Sequence, residues 1–343
     1  MKGSCHESFD GLIAAIRSII MRTVTILPRF GWGWISVVFS LLIVVVALLT
    51  LHHVLHDIDV GKVVSALRSQ QRGAIGTAVA FVIAGYITLT FYDVFALRTI
   101  GHRAVPFEVA AIASFTSYTI GHALGAATLT GGAVRLRIYS VWGLRVSDIA
   151  KIAFITGMTF WLGNALVLGG ALSYAPQAAS VVDQLPTWMN RSIGLLALCG
   201  VAVYLLWLMP RRRVVGFSHW RITLPKARFT LVQIGIGATD LTLVTLAIYT
   251  LLPSSPPVAF VTVLVVFLGA TLVGTVSHVP GNLGVIEAAM LIGLPQFETE
   301  GLLASLLMFR LLYFVIPLGF AMLVLALREL GLVARPTANS QRP

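Results

Sequence analysis

Uninterrupted apolar segments dominate the chain, and six of them have the length of one membrane crossing. An α-helix needs about 20 consecutive apolar residues to cross the hydrocarbon core of a bilayer. The six segments that meet this requirement lie at about 34–54, 74–97, 148–171, 192–209, 229–252 and 301–327. The pattern therefore predicts an all-α polytopic membrane protein with about six full spans.

Two further apolar segments, at about 107–132 and 257–294, contain glycine-rich interruptions. The first is interrupted by GHALG at 121–125 and then by TGG at 130–132, and the second by HVPGNLG at 278–284. Irregular backbone at membrane depth is tolerated only where it is buried in protein or lines a wet cavity. We therefore interpret each segment as a helix, a break and a second helix.

Basic residues are concentrated in short loops, a pattern that marks the cytoplasmic side of a membrane protein. The N-terminal segment 1–33 (part of which is amphipathic), the loop 210–228 and the tail 331–343 are all basic. We therefore expect both termini in the cytoplasm and the protein in a bacterial inner membrane. The loop 55–73 is the exception, because the order of spans puts it outside although it carries three basic residues.

The charges that flank the two interrupted segments predict re-entrant hairpins. The segments 98–103 and 135–151 on either side of the first are both basic, so it should return to the cytoplasmic face. The turn at 253–257 and the acidic segment 297–300 on either side of the second carry no basic residue and indicate the outer face. The two hairpins are thus predicted to enter the membrane from opposite sides.

This arrangement divides the transmembrane domain, at about 34–330, into an inverted repeat. Each unit has a span, a hairpin and a span, at about 74–171 and 229–327, and the units have opposite orientations. Asp93 and Asp240 lie 147 residues apart, at corresponding places in the two units. Broken helices that meet near the midplane of an inverted repeat are typical of transporters.

The composition agrees with a membrane protein and excludes several other classes. Charged residues are 11% of the chain, against about a quarter in soluble domains. The net charge of +11 occurs without a long basic face, so we expect no nucleic-acid partner. The two cysteines, 194 residues apart (199 − 5), predict neither a disulfide framework nor a metal site. No catalytic set and no cofactor motif is visible, so we expect no enzymatic activity and no cofactor.

Three charged residues within the apolar segments of the second unit are candidates for a binding site, because intramembrane charges are costly and usually functional. Asp240 lies in the middle of a span. Glu287 follows the second break, where it could accept from helix-start amides, pair with Arg310 or bind a basic headgroup. Arg310 is the first basic residue after Arg228, and an ion pair without further function is its alternative interpretation.

The two breaks supply the remaining candidates. Pro280, Gly281 and Gly284 allow close backbone approach and free amides that favour a phosphate, while helix packing through small residues is the alternative. Beyond Gly131 and Gly132 in the first hairpin, Arg135 could bind a lipid phosphate. It could equally be an ordinary basic anchor at the inner interface.

The motifs together resemble one family. They are TGGAVR at 130–135, PGNLGVIE at 280–287, and RLLY at 310–313 with Pro317. In this order they are similar to the transmembrane domain of lysylphosphatidylglycerol synthases, the multiple peptide resistance factors, and to stand-alone relatives of that domain. The resemblance covers about 30–330. Asn282 stands where the family usually has glycine, a departure that a turn should tolerate.

The resemblance implies a flippase that moves aminoacylated phosphatidylglycerol to the outer leaflet, where its positive headgroups repel cationic antimicrobial peptides. The motif matches carry over Gly131, Gly132, Arg135, Pro280, Gly281, Gly284, Glu287 and Arg310 as site residues. Because no cytosolic synthase domain precedes the end at Pro343, we expect no synthase activity. The expected partners are a phospholipid, the membrane and a separate lipid-modifying enzyme, with a homo-oligomer left open. The alternative is a non-transporting membrane partner of a lipid or polysaccharide biosynthetic enzyme.

Overall fold

The chain folds as a bundle of α-helices with one small β-hairpin. The computed structural model describes residues 60–124, 127–209, 213–217 and 220–329. The helices are α1 (Val60–Ser69), α2 (Arg72–Ile100), α3 (Phe107–Leu124), α4 (Ala127–Tyr139), α5 (Val146–Tyr174), α6 (Gln177–Asp183), α7 (Thr187–Leu208), α8 (Ala227–Leu251), α9 (Phe260–Val276), α10 (Val285–Gly293), α11 (Thr299–Arg310) and α12 (Ile316–Glu329). Strands β1 (Val214–Phe217) and β2 (Trp220–Thr223) pair antiparallel in the loop between α7 and α8.

Five helices of the described part of the chain are long and apolar enough to cross a membrane. They are α2, α5, α7, α8 and the continuous helix from Thr299 to Leu327. Five of the six predicted spans are thereby confirmed. The sixth, at 34–54, lies outside the described residues, as do the N-terminal segment 1–33 and the tail 331–343. The sequence pattern did not predict the β-hairpin or the short helices α1 and α6.

Helices α2 and α8 run antiparallel through the centre of the bundle. Beside the start of α2, Gln70 Nε2 donates to the carbonyl oxygen of Leu251 at the end of α8, over 2.8 Å. At the other end, Arg98 and Lys226 line one cleft. We call this the basic end of the bundle and the other the opposite end. The loop 55–73 was predicted to face outside although it carries basic residues. Its described part, 60–73, leads into the opposite end of the bundle.

Helices α5 and α8 run side by side from the basic end. Gln233 Nε2 donates to the carbonyl oxygen of Ile155 over 3.0 Å. Further along, the backbones come so close at Gly163 and Gly237 that a methyl group on Gly163 would lie 2.6 Å from a carbonyl carbon of Gly237. Small residues allow such contact between membrane helices.

The first hairpin, α3 and α4, begins and ends at the basic end. Val109 near its start and Tyr139 at its end belong to one buried cluster with Leu97 of α2 and Ile149 of α5. Its helices of 18 and 13 residues are about 27 and 20 Å long, short of the roughly 30 Å hydrocarbon core. The predicted re-entrant hairpin is confirmed.

The position of the first break needs correction. Gly131 and Gly132 are helical residues of α4 rather than part of a break. Helix α3 ends at Leu124 and α4 begins at Ala127, so the interruption belongs to the preceding GHALG segment. Glycine has a low helix propensity, and at Gly131 it is compatible with the helix interior because α3 packs closely against it.

The second hairpin, α9 and α10, begins and ends at the opposite end. Tyr249, near the end of α8, donates its hydroxyl to the carbonyl oxygen of Val258 over 3.1 Å. After α10, Leu294 and Phe297 pack in the same core cluster as Leu251. The helices of 17 and 9 residues are again too short to cross. The two hairpins therefore enter the bundle from opposite ends, as predicted.

The break of the second hairpin uses left-handed backbone at four residues. The φ angles are 55° at His278, 57° at Gly281, 50° at Asn282 and 77° at Gly284. Glycine adopts these angles without steric cost, and asparagine tolerates them better than other residues do. The expected tolerance of asparagine at 282 is consistent with this conformation. Its side chain lies against Gly274, where an added methyl group would be 2.4 Å from the Asn282 Oδ1 atom.

Candidate functional site

The tips of the two hairpins meet inside the bundle. A methyl group added to Gly281, in the second tip, would lie 3.8 Å from the carbonyl oxygen of His122 near the end of α3. The His122 ring stacks on that of Tyr313, with 6.5 Å between their centroids. Both tips and the helix that follows the second hairpin therefore surround one region.

The guanidinium of Arg310 forms hydrogen bonds with the second break and with Glu287, which follows it. Its Nε and Nη2 atoms donate to the carboxylate of Glu287, with 2.8 Å between Nη2 and Oε2. Its Nη1 atom donates to the carbonyl oxygen of Gly281 over 2.9 Å, and Nη2 also donates to that of Asn282 over 3.2 Å. One side chain thus binds both an acid and the unpaired backbone of the turn.

Glu287 has a second role at the start of α10. Its Oε2 atom accepts from the backbone N–H of Gly284 over 2.8 Å, which satisfies a helix-start amide. Helix capping and pairing with Arg310, two alternatives in the sequence interpretation, therefore occur together. The side chains of Glu287 and Arg310 keep 12% and 14% of their surface exposed, so the pair is mostly but not completely buried.

A π-helical turn follows Arg310 directly, at Leu311–Val315. Proline has no N–H, so Pro317 cannot donate to the Tyr313 carbonyl oxygen four residues earlier. The hydroxyl of Tyr86 donates to that oxygen instead, over 3.0 Å. Such turns are frequent at functional sites, and this one links the last span to α2.

A second ion pair, between Asp93 and Arg135, holds the first hairpin to α2. Arg135 donates to Asp93 Oδ1 through Nη2 and to Oδ2 through Nε, over 2.8 and 2.9 Å. The Tyr139 hydroxyl donates to Oδ2 over 2.8 Å. The side chains of Asp93 and Arg135 are 0% and 5% exposed. Arg135 is therefore not a surface anchor, and binding a lipid phosphate would require it to leave Asp93.

The sequence interpretation missed this pair, although a signal for it exists. An intramembrane acid needs a cation, and Asp93 lies seven residues before Ile100, where α2 ends at the basic end. Arg135 lies four residues before Tyr139, where α4 returns to the same end. Once the hairpin is recognised as re-entrant, these two side chains are expected at similar depth.

Aromatic rings connect the two ion pairs. The Arg135 guanidinium lies 4.6 Å from the Tyr118 ring centroid, and Tyr118 contacts His122 at 5.9 Å. His122 in turn stacks on Tyr313, which precedes Phe314. The Arg310 guanidinium lies 5.6 Å from the Phe314 ring centroid. Such cation–π contacts help to hold a desolvated guanidinium.

Asp240 is a member of neither ion pair. Its Oδ2 atom accepts from the Tyr92 hydroxyl over 3.1 Å, and the residue is 7% exposed. Its Oδ1 atom has no hydrogen-bond partner among the described residues. A buried carboxylate oxygen without a donor is costly, so Asp240 remains a predicted site residue.

The structure sorts the predicted site residues into groups. Pro280, Gly281, Gly284, Glu287 and Arg310 come together at the second break. A methyl group on Gly131 would lie 2.9 Å from the carbonyl oxygen of Ser117, so this glycine permits close packing of α3 and α4. No atom lies within 4 Å of such a group on Gly132. Close packing of α3 on α4 is thus a role of Gly131, and the part of both glycines in a binding site stays a prediction.

No metal centre is visible in the described part of the chain. There, no group of three or more His, Cys, Asp and Glu side chains has the arrangement of metal ligands. The chemistry available at the second break is accordingly that of an ion pair and backbone amides and carbonyls.

Two relatives match most of the chain. An uncharacterised protein of Synechocystis sp., slr0712, is 31% identical over 279 residues, which are 80% of this chain and 86% of that protein. The inner membrane protein YbhN of Escherichia coli is 30% identical over 314 residues, which are 88% of this chain and 94% of that protein. A phosphatidylglycerol lysyltransferase of Staphylococcus haemolyticus is 38% identical over 80 residues, or 23% of this chain and 9% of that protein.

The family described as the lysylphosphatidylglycerol synthase TM region matches residues 33–321. This range contains both re-entrant hairpins and both ion pairs. The three motifs on which the resemblance was based also lie within it. The chain is a polytopic membrane protein that belongs to the lysylphosphatidylglycerol synthase transmembrane family.

Proposed function

We propose that this protein moves an anionic phospholipid, phosphatidylglycerol or its aminoacylated form, to the outer leaflet of a bacterial inner membrane. The observation that carries the proposal is the Glu287–Arg310 pair, which is partly exposed and lies at the meeting point of two hairpins from opposite ends. In transporters with inverted repeats, substrates bind at such broken helices. The name of the Escherichia coli relative supports the inner membrane as the location.

The charges of the pair match those of an aminoacylated lipid. Arg310 would bind the lipid phosphate, since guanidinium and phosphate form charge-assisted bidentate bonds. Glu287 would bind the ammonium group of the amino acid. Such a headgroup would replace one protein ion pair by two protein–lipid pairs, so no buried charge would be left without a partner.

Transport would follow from alternating exposure of this region to the two leaflets. The repeats have opposite orientations, so one region can open first to one side and then to the other. The acyl chains would stay in the bilayer while the headgroup passes along Arg310. On this proposal the protein performs no chemistry on the lipid, and another protein supplies the aminoacyl group.

The test is lipid movement by purified protein in phosphatidylglycerol vesicles. Fluorescent phosphatidylglycerol, with or without a lysyl group, is placed in the inner leaflet, and its arrival outside is followed by a membrane-impermeant quencher. The double variant Glu287→Gln/Arg310→Gln should slow movement about tenfold or more, because a hydrogen bond to a charged group contributes about 1.5–3 kcal/mol. The matched control Arg191→Gln/Glu298→Gln removes one exposed base and one exposed acid and should move lipid at the wild-type rate.

A conservative variant separates binding from folding. In Arg310→Lys the ammonium can still pair with Glu287 and donate to a carbonyl oxygen of the turn, so the hairpin should stay folded. The bidentate guanidinium that would bind the phosphate is lost, and movement should be slow. Movement at the wild-type rate by the neutral double variant would overturn the proposal. If the wild-type protein moves no lipid but copurifies with a lipid or polysaccharide enzyme, the non-transporting alternative replaces it.

A further inference from the structure

A wide cleft opens at the basic end, remote in sequence from both hairpin breaks. Its volume is about 760 Å³, and it lies between the last turns of α2 and the segment that leads from β2 into α8. The lining residues are Phe95, Arg98, Thr99, Arg103, Thr223, Leu224, Pro225, Lys226, Arg228, Phe229 and Val232. The cleft therefore lies where the loops predicted to be cytoplasmic meet.

Four of the residues that line the cleft are basic, and none is acidic. The side chains of Arg98, Arg103 and Lys226 form no ion pair with another described residue, and Arg228 lies 4.7 Å above the ring of Phe229. Like charges gathered in one concave surface focus a positive potential and attract anions. Elsewhere in the bundle, cations such as Arg135 are neutralised by acids of the protein itself. Anions from outside the described chain can therefore pair with the basic residues of the cleft.

The cleft also has an apolar wall. Phe95, Leu224, Phe229 and Val232 line the cleft together with the basic residues, and three of the four belong to the spans α2 and α8. A free phosphate would need only the basic rim. A phospholipid has a charged headgroup beside an acyl chain, so it would use both the rim and the wall. Basic pockets between membrane helices on the cytoplasmic side bind acidic headgroups in this way.

The fold makes the cleft from residues far apart in the chain. Arg98 lies in the last turn of α2, and Lys226 immediately precedes α8, whose first turn carries no acidic residue. The positive end of the α8 dipole therefore adds to the potential of the side chains. Because α2 and α8 are antiparallel, the two groups meet at the basic end.

We propose that this cleft binds the phosphate of an anionic phospholipid in the cytoplasmic leaflet, as a site separate from the Glu287–Arg310 region. The lipid class is one without a positive group in its head, such as unmodified phosphatidylglycerol. An aminoacylated headgroup brings an ammonium close to four cations that no acid offsets. The cleft thus selects unmodified acidic lipid over its aminoacylated form, whether or not the protein transports either.

Binding of defined lipids to the purified full-length protein tests this proposal. The protein in neutral detergent is titrated with dioleoylphosphatidylglycerol, its lysyl ester or dioleoylphosphatidylcholine, and bound lipid is counted by native mass spectrometry. Each basic residue near a membrane surface changes affinity about fivefold. The double variant Arg98→Gln/Arg228→Gln should therefore weaken binding of phosphatidylglycerol about 25-fold.

The matched control removes the same number of charges from elsewhere. Arg68 and Arg191 are exposed and do not line the cleft, so Arg68→Gln/Arg191→Gln should bind phosphatidylglycerol as the wild type does. All four substituted side chains are exposed, and both double variants should therefore fold. If the two double variants bind phosphatidylglycerol equally well, the proposal is overturned.

Two further measurements complete the test. Inorganic phosphate at the lipid concentration should not displace the lipid; displacement would show that the cleft is a site for free phosphate and overturn the assignment to a lipid. The Glu287→Gln/Arg310→Gln variant should retain binding at the cleft even if it moves no lipid. Failure of the transport proposal therefore leaves this one standing, and the reverse also holds.

Discussion

The Asp93–Arg135 pair makes a prediction about stability that can be worked out from its geometry. Both side chains are almost fully buried and joined by two bonds of 2.8 and 2.9 Å. Two unit charges about 4 Å apart at an effective dielectric constant of about 20 attract each other by about 4 kcal/mol. Removing one partner also leaves the other desolvated and unpaired. We therefore expect Arg135→Met to lower the free energy of unfolding by about 3–5 kcal/mol.

Removing both charges should be much less harmful. In Asp93→Leu/Arg135→Met no buried charge remains, and apolar side chains of similar length fill the space. The main loss is the acceptor of the buried Tyr139 hydroxyl, and a buried donor without a partner costs about 1–3 kcal/mol. The double variant should therefore be more stable than Arg135→Met by about 2 kcal/mol. The exposed residue Arg137, on the same helix, supplies the control, since its change to methionine should cost at most about 1 kcal/mol.

Unfolding by sodium dodecyl sulfate in mixed micelles, followed by tryptophan fluorescence, measures these differences. The reasoning is refuted if Arg135→Met costs no more than the change at Arg137, or if the double variant is as unstable as the single one. Lipid movement by the double variant then distinguishes substrate binding by Arg135 from a purely structural role of the ion pair. If Arg135 binds substrate, movement is lost although stability returns; if the pair is structural, movement returns with stability.

Two other contacts lead to predictions that can be checked by the same unfolding assay. Tyr86→Phe removes the donor to the Tyr313 carbonyl oxygen and should cost about 1 kcal/mol; in a Pro317→Ala background, which restores a backbone donor, the same change should cost less. Gly237→Ala places a methyl group 2.4 Å from a backbone oxygen of α5 and should cost about 1–3 kcal/mol or more. Gly235→Ala, two residues away with nothing within 4 Å, should instead stabilise α8 by up to about 1 kcal/mol.

The sequence pattern was sufficient for the course of the chain through the membrane. Apolar length predicted the five described spans, and loop charge predicted that each hairpin returns to the face it entered. Apolar length and loop charge are local properties of the sequence, so they can be recognised without knowing which helices contact each other. The break at 278–284 was also predictable, because glycine and proline restrict what the backbone can do there.

It was harder to predict from the sequence which side chains contact each other. Pairing of Glu287 with Arg310 was one of the alternatives offered by the sequence, because Arg310 is the first Lys or Arg after Arg228. Pairing of Asp93 with Arg135 was not, since a basic residue near a loop usually marks the interface and nothing local shows that it is buried. The π-helical turn before Pro317 was also not predicted from the sequence. Within it, the Tyr313 carbonyl oxygen accepts from the hydroxyl of Tyr86, a side chain 227 residues away in the chain.

The two predicted repeats differ in their ion pairs, and this difference leads us to expect movement in one hairpin rather than the other. Asp93 holds Arg135 on a regular helix, with at most 5% of either side chain exposed and with Tyr139 as a further donor. Glu287 and Arg310 hold a turn of left-handed residues and remain partly exposed. A ligand that separates this second pair frees the turn, whereas the first hairpin stays fixed to α2. We therefore expect the second hairpin to be the element that responds to lipid, with the first as its rigid support.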